Sequence, residues 1–163
     1  MPHSIIKRLT TNTRLIKGIL TNYKTTFNAL CELINNSLQA KSTRINLNID
    51  YDNSGFVPST IKSIVIKDNG CGVPFSEFEK RILDIGTAVK EGGQGIGRFG
   101  ALQIGANMEI ETIAYDNSFG KYSWVNFKIN ANELIDCQLE SINFNVDYDF
   151  LEGEHNTYYK VCL

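Results

Sequence analysis

The first candidate for ligand chemistry is a carboxylate at the end of a predicted strand. Asp68 directly follows an apolar run, and the turn after it contains Gly70 and Gly72. A carboxylate in this position can accept a hydrogen bond from an amino group such as that of adenine, and the glycines let the backbone approach a flat ligand closely. Asp-Asn-Gly is also an ordinary turn sequence, so the turn by itself leaves both interpretations open.

The second candidate is the glycine-rich run over residues 86–100, which contains six glycines and no clear period. Such a run can fold over phosphates, because it offers backbone N–H groups and then the amino end of a helix beginning near Gly97. Lys90 would add a positive charge. A flexible surface loop has the same composition, and this alternative also stays open.

The third candidate is a set of polar side chains on a predicted helix. Glu32 and Asn36 lie four residues apart and Gln39 lies seven residues after Glu32, so all three project from one side of the helix. The opposite side carries an apolar stripe, made of Phe27, Leu30, Cys31, Ile34 and Leu38. The polar residues are equally typical of a solvated helix face.

Other nucleotide-binding motifs do not account for the glycines. Residues 95–100 match GxGxxG, but the dinucleotide fingerprint directly follows a strand, whereas here a glycine-rich stretch precedes it. No GxxxxGK(S/T) sequence occurs, which excludes a Walker-type phosphate loop. No V-A-I-K strand or H-R-D loop of protein kinases follows either. A phosphate site in this chain therefore requires a different arrangement.

The elements that must position these residues can be predicted from periodicity. Apolar residues at helical spacing predict a helix over residues 23–40, and looser patterns predict an irregular helix over 4–20 and short helices over 75–85 and 131–139. Alternating or continuous apolar runs predict six strands, over residues 45–51, 61–67, 108–114, 122–129, 142–150 and 157–163. We therefore expect an α+β fold, a two-layer α/β sandwich with helices on one face of a mixed, mostly antiparallel sheet.

Composition indicates one domain over residues 1–163, since 163 residues with 42% hydrophobic content can bury a single sizeable core. The net charge of -2 provides no bulk positive field, so nucleic acid is not indicated as a partner of this domain. No apolar run approaches the roughly 20 residues of a membrane span. The four cysteines show no CxxC pair and are typical of reduced core cysteines, so we expect a cytoplasmic location.

The first 22 residues form a basic arm, because the stretch before Glu32 contains no acid and five basic residues, Lys7, Arg8, Arg14, Lys17 and Lys24. A mitochondrial transit peptide has a similar acid-poor composition, but a basic helical arm is the simpler interpretation.

The order and spacing of the three candidates resemble one family. The sequence ELINNSLQA at residues 32–40 resembles the N-box of the GHKL ATPases (gyrase, the large heat-shock chaperone, histidine kinases and MutL), and IKDNGCGV at residues 66–73 resembles their adenine-binding G1 box. GTAVK at residues 86–90 and GIGRFG at residues 95–100 resemble the lid and the G2 box, most closely those of heat-shock-chaperone-like and MORC-like ATPases. The expected fold is then the Bergerat fold of that superfamily.

The resemblance implies roles for individual residues. Glu32 would be the general base, Asn36 the Mg²⁺ ligand and Asp68 the adenine reader, with Gly70 and Gly72 shaping the base pocket. The phosphate-facing lid and loop would use Thr87, Lys90, Gly95, Gly97, Arg98, Phe99 and Gly100. Thr157, in an Asn-Thr pair where relatives usually have Gly-Thr, would contact the adenine side, and Gln39 stands where many relatives have an acid.

The resemblance also implies the ligands and partners. We expect ATP, ADP and Mg²⁺ as ligands, slow ATP hydrolysis, and an ATP-dependent homodimer formed through the amino-terminal arm. The chain would be the ATPase domain of a longer dimeric clamp or chaperone-like protein, followed by a domain that supplies a catalytic Lys or Arg. A histidine-kinase catalytic module and a nucleotide sensor without turnover are the alternatives; similarity of the lid to chaperones weighs against the first, and Glu32 weighs against the second.

Overall fold

The computed structural model of the chain describes residues 2–8, 25–52, 55, 60–83, 99–132 and 143–163. Its strands are β1 (His3–Arg8), β2 (Ile45–Asp52), β3 (Thr60–Asp68), β4 (Asn107–Asp116), β5 (Lys121–Asn130), β6 (Asn143–Leu151) and β7 (Tyr158–Cys162). Its helices are α1 (Thr26–Gln39) and α2 (Phe75–Phe78), with a π-helical turn (Glu79–Leu83) continuing α2 and a short 3-10 helix (Phe99–Gln103). All six predicted strands are confirmed, with ends at most two residues from the predicted ones.

The described strands form one seven-stranded sheet in the order β1-β6-β5-β4-β7-β3-β2. Every strand pair in this part of the chain is antiparallel, so the predicted α+β fold is confirmed and its sheet is antiparallel rather than mixed. The order places β3 and β7 side by side near one edge, and the turn that follows β3 therefore lies next to the start of β7.

The helices pack on one face of this sheet. Along β4, buried and partly exposed residues alternate, because one face of the strand faces the helices. Leu33 of α1 and Phe78 of α2 belong to the same buried cluster as Ile110 of β4 and Phe127 of β5. The rings of Phe78 and Phe127 meet edge to face, with centroids 6.1 Å apart. The core thus lies between the helical layer and the sheet, as in a two-layer sandwich.

The predicted helix over residues 4–20 is wrong at its start, because His3–Arg8 form strand β1. This strand pairs with β6, and Ile5 lies opposite Val146. Ile5 packs against the core while Ile6 is 67% exposed, which is the alternation of a strand. Residues 3–8 form a strand because they pair with the otherwise open edge of β6. Two adjacent isoleucines in the sequence do not indicate this distant pairing. The rest of the predicted helix lies outside the described residues.

Helix α1 is confirmed, but its most buried residues do not belong to the predicted apolar stripe, of which Leu30 packs partly buried against the core. Its buried residues are Ala29, Leu33 and Ser37, whereas Phe27 is 69% and Leu38 is 58% exposed. The hydroxyl of Ser37 has a buried partner on that face, the carboxylate of Asp68. Periodicity located the helix correctly but could not choose between two faces that both repeat every three to four residues.

Helix α2 begins where predicted and is tied to the β4–β5 hairpin. The backbone N–H and the hydroxyl of Ser76 donate to the fully buried carboxylate of Asp116, at 2.8 and 2.7 Å. The N–H of Phe75 donates to the hydroxyl of Ser123 at 3.0 Å. These bonds satisfy donors at the start of the helix that have no partner within it. The ends of the predicted helices over 75–85 and 131–139 lie outside the described residues.

No helix in the described ranges is long and apolar enough to cross a membrane.

Candidate functional site

A cavity of about 220 Å³ opens between α1, the turn after β3, the π-helical turn and β7. Elements from three separate parts of the sequence therefore meet around one space. The described residues that line it are Asn36, Gln39, Ala40, Asp68, Gly72, Val73, Arg81, Ile82 and Tyr159. Polar and apolar groups contribute to the lining, which is typical of a ligand site with a few orienting polar groups.

Asp68 is the buried acid of this cavity. Its side chain lies at the end of β3 and is only 3% exposed. One carboxylate oxygen accepts a hydrogen bond from the N–H of Gly70 at 2.8 Å, and the other accepts one from the hydroxyl of Ser37 at 2.7 Å. A carboxylate can accept about four hydrogen bonds, so acceptor capacity remains for a ligand. The two donors hold the carboxylate in one orientation at the cavity wall.

The glycines of the turn are required by its packing. Gly72 has a φ of +66°, and a Cβ there would collide with the carbonyl oxygen of Ile113. A Cβ at Gly70 would lie 2.7 Å from the carbonyl oxygen of Ala40, at the end of α1. That same oxygen accepts a hydrogen bond from the N–H of Cys71 at 3.1 Å. The end of α1 and the Asp68 turn are thus in direct backbone contact.

Two threonines attach the turn to the rest of the sheet. Thr157, immediately before β7, donates its hydroxyl to the carbonyl oxygen of Gly70 at 2.6 Å. The hydroxyl of Thr112, which is fully buried, accepts from the N–H of Val73 and donates to the carbonyl oxygen of Tyr158, both at 2.9 Å. Thr157 therefore lies beside the Asp68 turn, and Thr112 joins three elements around the cavity. The adenine contact of Thr157 stays a prediction.

Helix α1 carries the polar residues predicted from their spacing. Its amino end is capped by the hydroxyl of Thr25, which accepts from the N–H of Asn28 at 3.2 Å. Asn36 is half-buried and Gln39 exposed, and both line the cavity. Glu32 is half-buried one helical turn before Asn36, and the described lining of the cavity does not include it.

The structure adds two residues that the sequence prediction missed. Ser37 is 3% exposed and holds the carboxylate of Asp68. In the sequence, a serine directly after the candidate Asn36 is a weak signal for this role. Arg81 lines the cavity from the π-helical turn, and its presence there depends on a turn geometry that periodicity does not report.

The predicted lid and glycine-rich loop lie almost entirely outside the described residues, which omit Thr87, Lys90, Gly95, Gly97 and Arg98. The backbone of Phe99 begins the 3-10 helix, and Gly100 within that helix is buried. A helical start near the end of the glycine run is therefore present at Phe99. The phosphate-binding roles of these residues stay predictions.

An ionic cluster holds β7 on the opposite face of the sheet. Glu111 accepts hydrogen bonds from the Tyr158 hydroxyl and, at 3.2 Å, from Lys160. Burial raises the pKa of Glu111, but the hydrogen bonds from Tyr158 and Lys160 outweigh burial, so that the pKa lies below its usual value. Burial and, after it, the bond to Glu111 raise the pKa of Tyr158 well above its usual value. This cluster fixes the strand that follows Thr157.

The donor set of the cavity suits Mg²⁺ only in combination with a ligand. Within the described ranges no group of three His, Cys, Asp or Glu side chains could enclose a metal ion. The side-chain oxygen of Asn36 is a hard donor at the cavity wall. Because Mg²⁺ usually keeps several waters and takes one or two protein oxygens beside substrate phosphates, one amide oxygen fits a metal that arrives with a nucleotide.

Comparison with known proteins gives a family match over most of the chain. The model described as "Histidine kinase-, DNA gyrase B-, and HSP90-like ATPase" matches residues 23–157. This span begins just before α1, includes the Asp68 turn and ends at Thr157, so all elements around the cavity except β7 fall within it. A search of the curated proteins found no match.

Proposed function

Because the chain belongs to the histidine kinase-, DNA gyrase B- and HSP90-like ATPase family, we propose that its cavity binds ATP together with Mg²⁺ and that the domain hydrolyses ATP slowly. The observation that supports this function best is the buried carboxylate of Asp68 at the cavity wall, held by Gly70 and Ser37. A buried acceptor with remaining capacity is suited to a ligand that presents an amino group.

Asp68 would accept a hydrogen bond from the amino group of adenine. Gly72 lines the cavity, and Val73, Ile82 and Tyr159 supply apolar surface along it for a flat ring. Thr157 would contribute on the adenine side by holding the turn in place through its hydrogen bond to Gly70. The base would thus be recognised by one charged acceptor within an otherwise mostly apolar part of the site.

Asn36 and Glu32 would serve the phosphate end. Bound Mg²⁺ neutralises charge on the phosphates, and Asn36 would hold it through its side-chain oxygen. Glu32, one turn earlier on the same helix, would orient the attacking water and accept its proton. The helix therefore fixes the position of the general base Glu32 relative to the metal ligand Asn36. Positioning is the main requirement of phosphoryl transfer. Thr87, Lys90, Gly97 and Arg98 would close over the phosphates.

Isothermal titration calorimetry and a phosphate-release assay test these assignments. Asp68→Asn presents an amide in place of one acceptor oxygen, and we expect it to abolish ATP binding. Glu32→Ala should bind ATP with Mg²⁺ and lose hydrolysis. Asp147→Asn, an exposed position on β6, is the matched control and should behave as the wild type. Equally tight ATP binding by the Asp68 and Glu32 variants would refute the roles.

As the biological role of the domain, we propose an ATP-gated dimeric clamp of the heat-shock-chaperone-like or MORC-like kind, with the amino-terminal arm contributing to the dimer. Its support is the likeness of residues 86–100 to the lids of those relatives. Sedimentation of the full-length protein with a non-hydrolysed ATP analogue should show a dimer. Sedimentation with ADP should show a monomer. A monomer under both conditions would refute the clamp without affecting nucleotide binding.

A further inference from the structure

The basic residue of the cavity lining has no role in the function proposed above. Arg81 is the positively charged side chain among the described lining residues, all the others being neutral except Asp68. It lies on the π-helical turn Glu79–Leu83 that continues α2. Single π-helical turns occur frequently at functional sites, because the wider turn redirects side chains relative to an α-helix.

The π-helical turn holds Arg81 at the cavity from two sides. The following residues Ile82 and Leu83 are 3% and 0% exposed and belong to the main core. On the outer side, Glu79 accepts a hydrogen bond from Lys7 of β1 at 2.6 Å. With its neighbours fixed in the core and to the sheet edge, the backbone that carries Arg81 has little freedom to withdraw from the site.

The guanidinium of Arg81 is available for a second partner. It makes an ion pair with Glu77, with 3.2 Å between Nη1 and Oε2, and the two side chains are 42% and 53% exposed. Exposed pairs of this kind are weak and exchange readily. The pair uses one of the five N–H donors of the guanidinium, whose planar fork matches phosphate oxygens.

The cavity lining contains charges of both signs. Asp68 is a fixed acceptor that would repel a phosphate group and favours the amino group of a base. Arg81 has the opposite charge and only donors. From this polarity, and on the premise that the cavity binds a nucleotide as proposed above, we infer that Arg81 is a phosphate-binding residue which makes the site selective for nucleotides over nucleosides. Its partner is the phosphate chain and not the face of the purine ring.

The test compares ADP and adenosine in calorimetric titrations of Arg81 variants. Arg81→Met keeps the apolar stem and removes the donors, and should weaken ADP binding by about tenfold, the loss expected for a charge-assisted hydrogen bond. Adenosine should bind the variant and the wild type equally. Arg81→Lys should recover part of the ADP affinity, because it restores the charge without the fork.

Two control variants separate a direct contact from indirect effects. Lys80→Met removes the same charge from the adjacent, exposed position and should change ADP affinity less than twofold. Glu77→Gln removes the competing carboxylate, and ADP affinity should stay equal or rise. Thermal melting should show that all variants are folded.

Each outcome is decisive for Arg81. Equal losses of ADP and adenosine would place the guanidinium on the base and overturn the inference, as would an equal loss in Lys80→Met. Unchanged ADP binding in Arg81→Met would overturn it while leaving the proposed ATP site intact. A wild-type protein that binds neither ADP nor ATP would overturn both.

Discussion

The hydrogen bond between Ser37 and Asp68 allows a quantitative prediction. Ser37→Ala removes a 2.7 Å hydrogen bond to a carboxylate that is 3% exposed. Hydrogen bonds to charged groups contribute about 1.5–3 kcal/mol, so we expect a loss of unfolding free energy of about 2 kcal/mol. For a domain of this size, that corresponds to a melting temperature lower by about 4–8 °C.

The same substitution should weaken nucleotide binding. Without the hydroxyl of Ser37, the bond from Gly70 remains as the described contact that orients the carboxylate. A less constrained acceptor must be ordered when the ligand binds, and we expect ATP affinity to fall by about tenfold. Thermal melting in denaturant-free buffer gives the stability, and calorimetric titration with ATP and Mg²⁺ gives the affinity.

The matched control is a similar bond on the opposite face of the sheet. Asn126, which is 7% exposed, donates to a carboxylate oxygen of Glu109 at 2.7 Å. Asn126→Ala should therefore also lose stability but should bind ATP as the wild type does. The reasoning is refuted if Ser37→Ala binds ATP normally, or if Asn126→Ala weakens ATP binding to the same extent.

Further predictions concern the turn and the ionic cluster. Gly72→Ala should destabilise the domain by more than about 2 kcal/mol in chemical denaturation, because a positive φ and a collision with Ile113 oppose any side chain there. Glu111 has a lowered pKa when folded, so its contribution to stability is present above its ordinary pKa of 4.5 and is lost as the pH falls through the folded pKa; Glu111→Gln should remove this acid dependence between pH 3 and 6, roughly the range around that pKa. Tyr158 has a raised pKa, so its contribution is present below its ordinary pKa of 10 and is lost as the pH rises through the folded value; in absorbance titrations Tyr158→Phe should remove a phenol that ionises above that ordinary pKa.

The sheet could be predicted from the sequence because its signal is local. Alternation such as that of Phe144, Val146 and Tyr148 is imposed by the two faces of a strand and appears directly in the sequence. The Asp68 turn was also recognisable, since a carboxylate and two glycines after an apolar run are adjacent in the chain. These features need no knowledge of what packs against them.

The features that were missed depend on distant contacts. β1 forms because β6 offers an edge far along the chain, as in the pairing of Ile5 with Val146. The buried face of α1 is decided by Ser37 meeting Asp68, and no helical period can distinguish that face from the one bearing Phe27. Arg81 reaches the cavity through a π-helical turn, which composition does not reveal. Contacts between residues that are distant in sequence therefore decide the features that periodicity cannot predict.

A crystal structure of the domain with Mg²⁺ and a non-hydrolysed ATP analogue tests the central claim most directly. We expect the exocyclic amino group of adenine within hydrogen-bonding distance of the Asp68 carboxylate, using acceptor capacity that the bonds from Gly70 and Ser37 leave unfilled. A purine ring bound away from the end of β3, with Asp68 contacting only the protein, would contradict the account.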